Sequence, residues 1–108
     1  ERRAALERLG VRVIGTETVD GRVALPELME DLASLGMASV LVEGGADVAA
    51  AFLADGLVDR IVLFRGAVEV GEGGIAAPLD EDHIPAGFRR VRAMRFGDDR
   101  YAEWIRDM

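Results

Sequence analysis

Apolar positions follow two rhythms along this chain. Leu25, Leu28, Met29, Leu32 and Leu35 recur at intervals of three and four, which lines one face of a helix. Pro26 stands where a first-turn proline is tolerated, and Glu27, Glu30 and Asp31 suit the positive end of the helix. Gly36 closes that segment. Ala4, Ala5 and Leu9 form a shorter stripe in a helix from Glu1 to Leu9, with Gly10 at its end. Val48, Ala51, Phe52 and Leu53 form a third stripe in a helix from Ala46 to Asp55, closed by Gly56.

The second rhythm is that of strands. Val11 to Ile14 is a short β-branched run, and Asp20-Gly21 reads as a turn. Ser39-Val40-Leu41-Val42 is almost wholly apolar, which predicts a strand buried on both faces, as in a parallel sheet. Arg60 to Phe64 is another hydrophobic strand, so residues 39–64 read as a compact βαβ unit with a right-handed crossover. Gly66, Gly71, Gly73 and Gly74 mark an irregular stretch, and Leu79 to Gly87, acidic and holding Pro85, reads as a surface loop. Phe88 to Phe96, the turn Gly97-Asp98-Asp99 and Tyr101 to Ile105 predict a closing antiparallel hairpin. The order α-β-α-β-α-β plus hairpin predicts an α/β fold with a mixed sheet and flanking helices in a single domain.

Composition narrows the chemistry. The chain has 108 residues, half of them hydrophobic and 31% charged, a globular balance. Twenty acidic against 13 basic residues give a net charge of −7, which weighs against nonspecific nucleic-acid binding. There is no cysteine, so disulfides, thiolate metal ligands and a cysteine nucleophile are excluded. All 13 basic residues are Arg, which removes Schiff-base chemistry and a P-loop lysine. No apolar run approaches the ~20 residues of a membrane helix, and Glu1-Arg2-Arg3 is no signal peptide, so a cytoplasmic protein without a membrane partner is expected. The chain lacks an initiator Met and opens inside a helix, as a piece of a longer protein would.

The candidate chemistry sits at Leu41-Val42-Glu43-Gly44-Gly45-Ala46-Asp47-Val48. A strand ends, two glycines follow and a helix begins. The first amides of a helix lack partners and carry positive partial charge, and glycines let a phosphate approach them. Ligands of open α/β sheets lie beyond the carboxyl ends of strands. A plain tight turn is the competing explanation, and Asp47 repels an anion unless it points away. Glu43 is a carboxylate beside an apolar strand, costly unless solvated or paired. It serves either as an acceptor for a polyhydroxyl substrate or as a rim residue or Arg partner.

Elsewhere the ordinary explanations lead. Gly71-Glu72-Gly73-Gly74 reads as a surface turn before a second ligand loop. His83, the only histidine, lies in an acidic loop, and one His without Cys makes no zinc site. Asp80, Glu81 and Asp82 read as a solvated run before a hard-cation site. The five arginines from Arg89 to Arg100 fit an exposed edge strand or, more sharply, an anionic ligand or RNA. Trp104 and Phe96 belong to a core or an interface.

The string Val40-Leu41-Val42-Glu43-Gly44-Gly45, the small-residue helix ending Phe52-Leu53, and Gly56-Leu57-Val58-Asp59-Arg60 before a strand and glycine loop resemble the bacterial riboflavin-biosynthesis reductase domain. That domain is the C-terminal half of a bifunctional deaminase–reductase with a dihydrofolate-reductase-like fold. Asp20-Gly21, Leu25 and its helix, and Phe96-Gly97-Asp98-Asp99 also fit, while Arg65-Gly66-Ala67 stands where the family usually has a proline.

The resemblance implies NADPH-dependent reduction of a phosphoribosylamino-pyrimidine to its ribityl form by hydride transfer to C1′. It implies that Glu43 contacts substrate. It brings Gly44, Gly45, Ala46, Asp47 and Val48, and the turn Ala49, Ala50 and Ala51, to the NADPH phosphates. It implies no dedicated catalytic side chain, no metal, and a homo-oligomeric enzyme. Residues 1–108 would then be the C-terminal portion of one reductase domain, lacking its first strands and the deaminase and so lacking full turnover alone. The alternatives are a noncatalytic α/β assembly module and a folate or pterin reductase on the same fold.

Overall fold

In the computed structural model, which describes residues 1–107, the chain divides into two compact units, Glu1–Val40 and Leu41–Met108.

The first unit holds α1 (Arg2–Arg8), a two-stranded hairpin of β1 (Thr18–Val19) and β2 (Arg22–Val23), and α2 (Leu25–Ser34). Asp20 and Gly21 both have positive φ, 51° and 76°, and form the two-residue turn that pairs Val19 with Arg22. The turn lay in the sequence, but its two-residue strands are too short to leave a pattern. α2 starts with Pro26 in its first turn, and half-buries Leu25, Leu28, Met29 and Leu32. Residues 11–14 make no strand pairing among the described residues, contrary to the β-branched pattern, since an apolar run alone does not supply a ladder partner.

The second unit holds α3 (Ala46–Ala54), β3 (Arg60–Arg65), β4 (Phe88–Phe96) and β5 (Asp99–Arg106). The strands form an antiparallel sheet in the order β3-β5-β4, with a bulge between Arg90 and Arg92. Phe96 pairs with Asp99 across the turn Gly97-Asp98, so the expected hairpin is present. The parallel pair is not. Residues 39–42 have no strand partner, and Val40 and Leu41 are 47% and 81% exposed. An apolar run favours an extended backbone but cannot supply the neighbour that buries it.

The three helices among the described residues end alike. Val11, Met37 and Leu57 donate backbone N–H groups to Leu6, Leu32 and Phe52, and Gly10, Gly36 and Gly56 donate to Glu7, Ala33 and Leu53. This double closure needs a left-handed residue at the glycine, which is why the three stops were legible.

The core of the second unit is Ile61, Ala102 and Trp104, with Leu53, Val58, Leu63, Leu79, Ile84 and Phe88 packed around it. Ile61 pairs with Trp104 and Leu63 with Ala102, so one sheet face carries it. Leu79 and Ile84 anchor the acidic stretch predicted to be a plain surface loop. Glu103 is buried on the opposite face, hydrogen-bonded by Arg60 and by the Tyr101 hydroxyl at 3.1 Å, with Arg92 Nε 4.0 Å away. Arg106 ties β5 to the end of α3: its Nε donates to the Val58 carbonyl at 2.9 Å and a terminal nitrogen to the Gly56 carbonyl at 2.7 Å.

Candidate functional site at the start of α3

The helix start is open. Gly45 occupies the N-cap position with φ 75° and ψ 134°, and no side chain caps the helix. The first backbone bond runs from Ala49 N–H to the Gly45 carbonyl at 3.1 Å, leaving the amides of Ala46, Asp47 and Val48 facing outward from the ladder. A side chain built on Gly44 would meet no atom within 4 Å, and one on Gly45 only Val48 Cγ2 at 3.9 Å. Gly44, Gly45, Asp47 and Val48 are exposed, and Ala46 and Ala49 are half-buried. Gly45 needs glycine for its positive φ, whereas a side chain at Gly44 would meet only open space.

Glu43 lies at the mouth of this turn. It is exposed and makes no hydrogen bond or ion pair among the described residues. Its suspected cost of burial is therefore absent, because the side chain itself is exposed although Val42 before it is half-buried. Glu43 is instead a free acceptor next to free donors. Asp47, in the first turn, favours the helix dipole. Ala50 and Ala51 continue the helix, and Phe52 behind them is buried, so one side of α3 is anchored while its start stays accessible.

The other candidates do not gather here. His83 sits in the loop before β4, its Nδ1 2.8 Å from Asp80 Oδ1. That hydrogen bond, ahead of a smaller bond from Asp82 N–H, holds the Asp80 carboxyl below its ordinary range. Glu81 reaches Arg100 at 3.3 Å. No group of three or more metal-ligating side chains comes together among the described residues, and none of the described helices is long and apolar enough to cross a membrane. A shallow hollow lined by Leu53, Gly56, Val58, Phe88 and Arg106 lies at the other end of α3.

The model of the RibD C-terminal domain matches residues 1–100. The chain belongs to the RibD C-terminal domain family. The riboflavin biosynthesis protein RibD of Bacillus amyloliquefaciens is 37% identical over 73 residues, which cover 68% of this chain and 19% of that protein. Two solved forms of Acinetobacter baumannii RibD superpose with a TM-score of 0.69 at 21% identity, covering 98% and 96% of this chain. They confirm the α/β, dihydrofolate-reductase-like fold. In each case the chain spans 29% of the solved one.

Sequence reasoning missed two side-chain systems: the buried Glu103 with its arginines, and the Arg106 tie. Both depend on strand register, which no local spacing reveals.

Proposed function

We propose that this chain is the C-terminal portion of a reductase domain of riboflavin biosynthesis, binding NADPH at the start of α3. The observation that carries it is the uncapped, accessible turn Gly44-Gly45-Ala46-Asp47-Val48 in a member of the RibD family. The residues fit such a cofactor: three amides point outward, Gly44 leaves room, and the helix dipole favours a phosphate. The bound cofactor would supply a hydride. The chain's own part is to hold phosphates through the amides of Ala46, Asp47 and Val48, with Ala49 to Ala51 extending that turn. Glu43, an exposed and unpaired acceptor, orients a sugar hydroxyl of the substrate.

The substrate of this reading is 5-amino-6-(5-phosphoribosylamino)uracil, reduced at C1′ to the ribityl product. A cytoplasmic, homo-oligomeric enzyme goes with it. The 108 residues alone are expected to turn over far below the ~1 per second of ordinary enzymes. The test uses the chain within the longer reductase. Glu43→Gln should lower kcat/KM for the pyrimidine about tenfold or more, the scale of one lost charge-assisted hydrogen bond, while NADPH affinity stays within about twofold. Unchanged kinetics would remove Glu43 from the site. Full turnover of a folate or pterin instead of the pyrimidine would overturn the substrate assignment.

A further inference from the structure

The second unit concentrates positive charge that the helix start does not use. β3 carries two arginines, β4 four and β5 two, so eight of the chain's 13 lie in the sheet, against only Asp99 and Glu103. The register gathers three of them. Arg65 pairs directly with Arg100, and Arg95 pairs with the same Arg100 from the other side. Directly paired residues project from the same face, so Arg65, Arg100 and Arg95 form one row across three strands. By alternation this is the face of Leu63 and Ala102, one layer beyond the core.

Like charges directly opposite one another destabilise a sheet, and here two such pairs share one residue. Only Arg100 has a carboxylate partner, Glu81 at 3.3 Å, contributed by the loop whose Leu79 and Ile84 pack on the neighbouring core. Among the described residues Arg65 and Arg95 have none. Asp99, one step along β5, projects from the opposite face, and its Oδ1 accepts from Ala67 N–H at 3.3 Å. The row spans two strand spacings, about 10 Å, and each guanidinium offers a planar fork suited to phosphate.

We infer that Arg65, Arg100 and Arg95 form a binding site for the phosphate group of a small molecule, with Glu81 as an internal competitor. The site is built from strand register alone and does not depend on the reductase reading.

The probe is inorganic phosphate, titrated at constant ionic strength into the full chain while the arginine Nε–H resonances are followed by NMR. The Arg65, Arg95 and Arg100 signals should saturate together, with a Kd on the order of millimolar. Arg65→Gln with Arg95→Gln should weaken binding at least about tenfold, and Glu81→Gln should tighten it about threefold or more. Should the double variant fail to fold, the Glu81→Gln titration still decides. A linear drift shared with Arg2 and Arg22, or a Glu81→Gln affinity no tighter than wild type, would overturn the site. An NADPH failure at α3 would leave these results untouched.

Discussion

Trp104→Ala is expected to destabilise the second unit by about 3–5 kcal/mol, the range for removing a buried aromatic. Trp104 is 6% exposed and pairs across the sheet with Ile61 at the centre of a core cluster whose buried members, among the described residues, are Ile61, Ala102 and Trp104. The cavity would lie between two strands, where Leu53 and Phe88, both partly exposed, can relax only in part. Small domains hold about 5–15 kcal/mol in total, so the loss takes a large share of what is available. Urea denaturation followed by tryptophan-independent circular dichroism checks it. A midpoint unchanged from wild type would mean that the core lies elsewhere.

The second large effect concerns binding. Gly44→Asp should weaken NADPH at least about tenfold while changing stability by no more than about 0.5 kcal/mol. Gly44 has an ordinary backbone conformation and open space around it, so a side chain enters without strain. It would place a carboxylate before the amides proposed to receive phosphates. Gly45 is the wrong position for this test, because its φ of 75° penalises any side chain whatever the ligand. Isothermal titration with NADPH, paired with thermal melts, separates the two quantities. Equal affinity in variant and wild type would argue that the phosphates bind elsewhere.

What the sequence disclosed was local chemistry. Gly10, Gly36 and Gly56 stop helices through hydrogen bonds that span six residues, and Asp20-Gly21 and Gly97-Asp98 set hairpin turns within four. Pro26 and the leucine spacing placed α2. The glycine turn before α3 was visible for the same reason. Burial was not visible, because it depends on what lies alongside. Residues 39–42 have the composition of a buried strand yet remain unpaired among the described residues, with only Val42 half-buried, and Glu43 after them is exposed, so its supposed desolvation disappears. Leu79 and Ile84 made the opposite change, from an acidic loop to core supports. Register was equally hidden: Arg65 and Arg95 are 30 positions apart in sequence and flank one residue in the sheet. The family assignment survives these corrections, since the family model matches residues 1–100 and the glutamate-glycine-glycine turn stands within them.

We propose that the amides opening α3 receive the phosphates of a nicotinamide cofactor. Amide-resolved NMR of the 15N-labelled chain titrated with NADPH tests it most directly. Saturable shifts are expected to be largest at Gly44, Gly45, Ala46, Asp47 and Val48 and to fade along the helix beyond Ala51. Saturable shifts centred on other residues, with those five amides unmoved, would contradict it.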